Sequence, residues 1–230
     1  MSSLDPAALL ELMRLASPAL PVGGFSYSEG LEAACEAGLA RDADSTQAWL
    51  LDQLQLGLAR CDLPAAAQAF AAWRGGDLPR IQALNDWGTC TRETHELLQQ
   101  TQQMGRSLVD WMRRRCAQPD AMVEAAAMLA PAPTWPVAFA LAASRSGAPR
   151  REALLAFAAG WAENMVAAAI KAVPLGQSAG QRLLDALSLE LPRQVDAAIA
   201  LPDGARQAFA PMLAILSAQH ETQYSRLFRS

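Results

Sequence analysis

Histidine and cysteine are the side chains that most often ligate metals, shuttle protons or attack substrates. This chain holds few of them: His95, His220, Cys35, Cys61, Cys90 and Cys116. A preformed metal site on a helix needs two ligands one turn apart, and neither histidine has a second histidine or a cysteine at i+3 or i+4. His95 lies beside Glu93 and Glu96, and His220 precedes Glu221, so both read as solvated or hydrogen-bonded rings. The cysteines form no CxxC pair and predict reduced, mostly buried thiols. No cysteine has a recognisable partner that would mark it as a nucleophile. Paired carboxylates occur on many helix faces and carry no specificity. The expectation is a protein that is not an enzyme, with no catalytic residue, no metal ligand and no tightly bound cofactor.

Three other stretches carry unusual residues. The first is "SPALPVGGFSYSEGLE", residues 17–32. Gly23 and Gly24 could cradle a phosphate ahead of a helix, but the stretch lacks GxxxxGK[ST], has no lysine and follows a helix rather than a strand. Phe25 and Tyr27 either plug the core from a packed turn or, with Glu29, form an ordered surface for a protein partner. In the second stretch, "AAAIKAVPLGQSAGQRLL", stands Lys171, the one lysine among 19 basic residues. Lys171 is either a cation against a helix C-terminal dipole or an ammonium that an interface requires, with Gln177 and Gln181 lining a polar patch beside it. The third is "SAQHETQYSRLFRS" at the end. There Tyr224, Leu227 and Phe228 share a helical face at i, i+3 and i+4, flanked by Arg226 and Arg229. Three large apolar groups have little use in a disordered tail. Docking on the tail's own domain and docking on a partner both stay open.

The elements that must position these residues read as helices. Valine, isoleucine and threonine are sparse, alanine and leucine abundant, and no alternating runs appear. Asp5-Pro6 starts a helix that Ser17-Pro18 stops. Others are expected over Ser28 to Ala37, from Ser45 through Leu58, and over 64–74 and 78–88. The strongest covers 92–115, where Leu97, Thr101, Met104, Leu108 and Trp111 form one face. Further helices follow from Thr134 to about Gly147, from Pro149 to about Lys171, and over 177–190, 193–200 and 205–221. No repeat or low-complexity linker divides the chain, which predicts one all-α domain over 1–230, a bundle of about ten helices.

Composition narrows the class. A chain of 230 residues, 52% of them hydrophobic, can bury a substantial core. A net charge of −4 gives no basic field for nucleic acid or acidic membranes. Leu4, Leu9 and Leu10 are interleaved with Asp5, Pro6 and Glu11, which predicts no signal peptide, and prolines break the longest uncharged run. The expected location is the cytoplasm.

Taken in order, "LASPALPVGGFSYSEGLE", "RETHELLQQTQQMGRSL", "KAVPLGQSAGQ" and "HETQYSRLFRS" resemble the urease accessory protein family UreF, and they span nearly the whole chain. The resemblance implies an all-helical, non-catalytic protein that forms a homodimer. It implies partners too: UreD (also called UreH), the GTPase UreG and apo-urease, with nickel and GTP handled by the wider complex. The expected function is a maturation factor that bridges UreD and UreG on apo-urease and supports GTP-dependent nickel insertion. Its expected partner-binding residues are Gly23, Gly24, Phe25, Tyr27, Glu29, Lys171, Gln177, Gln181, Tyr224, Arg226, Leu227 and Phe228, with 222–230 as a partner-docking tail. Two alternatives remain: a GTPase-activating regulator that supplies an arginine in trans, and a helical nucleotide-binding regulator that uses the Gly23-Gly24 loop.

Overall fold

Side-chain caps set five of the eleven helix starts among the described residues. In the computed structural model, which describes residues 4–230, the Asp5 carboxylate accepts the Ala7 and Ala8 N–H groups and opens α1 (Pro6–Ala16). Helix α2 (Leu31–Glu36) is shorter than expected. Glu29 and Gly30 both take left-handed backbone, φ 50° and 76°, so Ser28 to Gly30 form a tight turn that postpones the helix. Asp42 and Ser45 make a reciprocal capping box at α3 (Ala43–Asp52), so Ser45 sits inside the helix rather than at its cap. The chain continues through a π-helical segment over Gln53–Leu58 into α4 (Asp62–Gly75), followed by α5 (Leu78–Cys90). Thr94 caps α6 (His95–Arg115).

A short helix that the periodicity did not mark, α7 (Ala121–Ala127), is capped by Asp120. Then come α8 (Trp135–Ser144) and α9 (Arg150–Ala172). The two helices expected over 177–190 and 193–200 are one, α10 (Gln177–Ala200), which runs through Pro192. Leu183, Leu187, Leu191, Val195 and Ala198 keep one buried face across the proline, and this packing outweighs the lost backbone hydrogen bond. Helix α11 covers only Pro211–Glu221, and no strand occurs among the described residues.

One hydrophobic cluster takes residues from all eleven helices. At its centre lies α8, in which every residue from Pro136 to Ala143 is buried against α4 and α6. Burying Phe139 alone is worth roughly 2–3 kcal/mol. Its ring meets Phe157 edge-on at 4.9 Å and Trp135 at 5.5 Å. Helix α6 reaches α8 closely because Gly105 has no Cβ; one placed there would lie 1.9 Å from the Pro133 carbonyl oxygen. Long and apolar as it is, α9 packs against α10, α1 and α4. Helices α2, α6, α9 and α11 meet at one end of this core, where the unusual stretches also gather.

Candidate functional site

The turn before α2 and the last residues of the sequence lie side by side. Arg229 donates its N–H to the Ser26 carbonyl at 2.8 Å, and Ser28 donates its N–H to the Ser230 carbonyl at 2.8 Å. The Ser28 hydroxyl donates to that same carbonyl at 2.5 Å, and the Ser230 hydroxyl donates to Gln100 Oε1 at 2.8 Å. Phe228 is buried, and Lys171 Nζ stands 5.7 Å from the centre of its ring. Segments 26–32, 96–103 and 220–230 and the end of α9 thus form one junction.

Buried carboxylates organise it. Glu32 on α2 accepts the Leu227 N–H at 2.7 Å and the Phe228 N–H at 2.9 Å, one on each oxygen. Glu96 on α6 receives the Arg226 guanidinium. Between them lies His220 on α11, wholly buried, with Nδ1 2.7 Å from Glu96 and Nε2 3.2 Å from Glu32. Carboxylate oxygens accept hydrogen bonds, so a ring nitrogen that carries hydrogen has an acceptor in place on either side. A buried charge must be paired or hydrogen-bonded, and here Glu96 is paired by Arg226 and Glu32 by two backbone N–H groups.

Beside the junction runs a narrow cleft that reaches Glu29. Its carboxylate accepts Trp161 Nε1 at 2.9 Å and Gln100 Nε2 at 2.8 Å. Burial pushes the Glu29 carboxyl above the usual range, against the pull of these two donors. Asp62 and Cys61 line the same cleft, along with Arg92, which pairs with Asp62. Burial works against the Arg92 charge, yet the neighbouring acidic groups, Asp62 first among them, together more than compensate and hold it protonated. Burial and the Asp62 carboxylate raise the Cys61 thiol, which keeps it neutral. Among the described residues, no group of three or more His, Cys, Asp and Glu side chains is placed to hold a metal ion.

The sequence-derived candidates scatter around this frame. Tyr27 is buried, and its hydroxyl donates to Gln103 at 2.9 Å, so it serves the fold of its own domain. Phe25 does not plug the core; it is 61% exposed. Gly23 is left-handed at φ 78°, and Gly24 begins a single 3-10 turn. Lys171 is exposed and joins the junction through Phe228. Gln177 and Gln181 are exposed on the first turns of α10 and make no hydrogen bond to the junction among the described residues.

The tail needs the larger correction. Residues 223–230 are not helical, so Tyr224, Leu227 and Phe228 share no helical face. Phe228 points inward, and Arg226 is tied to Glu96. Tyr224 is fully exposed and Leu227 is 69% exposed. The tail docks on its own domain and leaves these two outward. Glu32, Glu96, Gln100 and Ser28 escaped sequence reasoning, because each looks like an ordinary polar position on a helix or turn. The available signal was the density of Glu, His and Arg in the two segments that meet here, "RETHELL" and "HETQYSR".

Comparisons with known proteins agree with the pattern of motifs. The sequence model of the family UreF matches residues 40–188, more than half of the chain. A "Urease accessory protein UreF" of Methylibium petroleiphilum is 64% identical over 224 residues, covering 97% of this chain and 94% of that protein. Another of the same name, from a Polaromonas species, is 60% identical over 230 residues, covering 100% and 97%. A "Bifunctional urease accessory protein UreEF" of Bordetella bronchiseptica is 48% identical over 231 residues, which are 99% of this chain and 53% of that protein.

Proposed function

This chain belongs to the UreF family of urease accessory proteins, and on that premise we propose that it is a non-catalytic factor of urease maturation. In this reading it pairs with itself, bridges UreD (UreH) and the GTPase UreG on apo-urease, and supports GTP-dependent nickel insertion in the cytoplasm. Nickel and GTP are handled by the assembly and are not held tightly by this chain.

The observation that carries the reading is how the junction is used. Its charged side chains are engaged in holding two remote segments together, while Phe25, Tyr224 and Leu227 stand exposed beside them. Exposed aromatic and aliphatic groups on a rigid, hydrogen-bonded base are what a protein partner can bury. The relative that carries UreE and UreF names on one chain supports a place among urease accessory proteins.

Co-purification tests it. Tagged chain is expressed with the UreD and UreG homologues and apo-urease, and urease activity is read after nickel addition. The expected result is capture of all three and activation that fails without this chain. Hydrolysis of GTP by the isolated chain, or full activation in its absence, would overturn the reading. Light scattering at micromolar concentration is expected to give a dimer.

A further inference from the structure

Glu32 on α2 and Glu96 on α6 meet at one imidazole. His220, near the end of α11, is wholly buried and sets Nδ1 2.7 Å from Glu96 and Nε2 3.2 Å from Glu32. A neutral imidazole carries a single N–H, so one of the two contacts would press a nitrogen lone pair against a carboxylate oxygen. An imidazolium donates on both sides. The carboxylates are already arranged as acceptors: Glu32 takes the N–H groups of Leu227 and Phe228, and Glu96 takes the Arg226 guanidinium.

The charges around the ring require the same form. Arg226 offsets Glu96, whereas the Glu32 carboxylate meets two backbone N–H groups, the Gln223 amide and His220. Among the described residues, His220 is the one basic side chain within ion-pair distance of Glu32. The other titratable groups at the junction put no cation there. On α2, burial and the nearby carboxylates keep Cys35 a neutral thiol, and Glu36 is a further carboxylate, held by Gln223. Glu221 on α11 accepts the Glu96 backbone N–H, and Lys171 on α9 stands over the Phe228 ring. A buried carboxylate without a cation is costly, and a protonated His220 supplies one.

We propose that His220 is a proton latch: its ring is an imidazolium in the folded protein, and loss of that proton unfastens the end of α11 from α2 and α6. Once the ring is neutral, a carboxylate oxygen faces a lone pair at 2.7 or 3.2 Å in a place closed to water. Separation of α11 relieves that contact, because water then solvates both groups. Residues 222–230 follow directly from α11, so the movement is carried to the exposed Tyr224 and Leu227. The sign follows from the proton count. The closed junction holds a proton that the opened one releases, so opening becomes easier as pH rises.

The chain has two histidines, and His95→Gln assigns their ring signals by elimination. Nitrogen-15 NMR of the wild type at about pH 7.5 is expected to show hydrogen on both ring nitrogens of His220. The exposed ring of His95 serves as reference in the same sample. Hydrogen on one nitrogen alone overturns the latch. Amide hydrogen exchange over 211–221, corrected for the intrinsic rate, reads the opening of α11. That opening is expected to rise about tenfold per pH unit while the closed ring keeps its proton and the opened ring has lost it. His220→Gln has no such proton to lose and should give a level profile. If that variant does not fold, the two wild-type measurements decide. An imidazolium whose helix opens equally at about pH 6.5 and about pH 8.5 overturns the latch as well.

Discussion

Ser28 gives both its backbone N–H and its hydroxyl to the carbonyl of Ser230, at 2.8 and 2.5 Å, across 202 positions of sequence. Both serines are buried. Buried backbone groups are almost always paired, and this pairing fastens the turn before α2 to the last residue of the chain. Glu32 lies one helical turn beyond Ser28 and receives Ser28's neighbours across the gap, Leu227 and Phe228. The most unusual stretch near the start of the sequence is thus finished by residues from its end.

Removing the tail should therefore cost stability, although a terminal apolar triplet by itself suggests a dispensable appendage. Truncation before Tyr224 strips two N–H donors from Glu32, the guanidinium from Glu96 and the buried ring of Phe228. We expect a loss of about 3 kcal/mol or more, from one buried aromatic and carboxylates left short of partners. Urea denaturation of the truncated and full chains measures it. Tyr224→Ala is the control: its side chain is fully exposed, so stability should change by less than about 0.5 kcal/mol while partner capture weakens.

Lys171 tests whether charge or shape matters at the end of α9. Its Nζ lies over the Phe228 ring and it closes the last turn of the helix. Lys171→Ala should lose about 0.5–1 kcal/mol, from the cation–ring contact and the helix-end charge. Lys171→Arg should retain it, since a guanidinium also stacks on an aromatic ring. Urease activation is the second readout. Failure of both variants, with melting near that of the wild type, marks a site that requires the ammonium. Normal activation in both reduces Lys171 to a helix-end cation.

Helix existence was legible where a cap with proline or a long apolar stripe stood out, as at Asp5-Pro6 and at Leu97–Thr101–Met104–Leu108; α7, capped by Asp120, is too short to show a stripe. Boundaries were lost where tertiary contact decides. Nothing in Ser28-Glu29-Gly30 announces two consecutive left-handed residues, and the space for Gly30 is set by Leu213, whose Cδ1 would lie 2.8 Å from an added Cβ. Proline normally ends a helix, so the continuous α10 was invisible without the surface that its leucines cover. The candidate site was half legible. Aromatic residues in a loop and at a terminus mark segments that dock. That they dock on each other, through Glu32, His220 and Glu96, follows only from the three-dimensional meeting of α2, α6 and α11.

Gly105 should be among the least tolerant positions. Any Cβ there collides with the Pro133 carbonyl, a backbone atom that cannot rotate away. Gly105→Ala is expected to destabilise by about 3 kcal/mol or more through forced separation of α6 from the start of α8. Gly57→Ala, with nothing within 4 Å of its Cβ, should be neutral or stabilising by up to about 1 kcal/mol. Thermal melts of the two variants separate steric exclusion from helix propensity.

Cys35 reports on the acidic side of the tail junction. Burial, with Glu32 and Glu36 beside it, pushes this thiol up to about 11 from 9.0. Iodoacetamide should therefore modify it slowly at neutral pH and faster as pH approaches that value, because the thiolate is the nucleophile. The folded thiol holds its proton longer than the unfolded one, so its contribution to stability is complete below pH 9.0 and is lost as pH rises towards 11. Mass spectrometry of the modified fraction, with the exposed Cys90 as internal reference, checks the order. Equal rates at the two positions near neutral pH would sink the expectation.

Glu29 should make the fold less stable at neutral pH than in mild acid. Its carboxyl is raised from 4.5 mainly by burial, with Asp62 adding to the rise, while Trp161 and Gln100 pull the other way. Below that value the side chain is protonated in both folded and unfolded chains and imposes no penalty. As pH rises through the folded-state value, the unfolded chain has already ionised, and the folded chain must place a charge in the cleft. Stability falls across that interval, by ~1.4 kcal/mol for each pKa unit of elevation. Glu29→Gln removes the titration and keeps the side-chain shape. Its amide faces one donor with a donor, at a cost that does not vary with pH. Carboxylates remote from Glu29 titrate alike in the two proteins and cancel in the comparison; Asp62, which is coupled to Glu29, adds a smaller change of its own. The stability of the variant relative to wild type should therefore improve as pH rises above 4.5, read from urea midpoints at matched ionic strength. A difference that stays flat, or moves against the variant as pH rises, would show that the donors from Trp161 and Gln100 prevail over burial at Glu29.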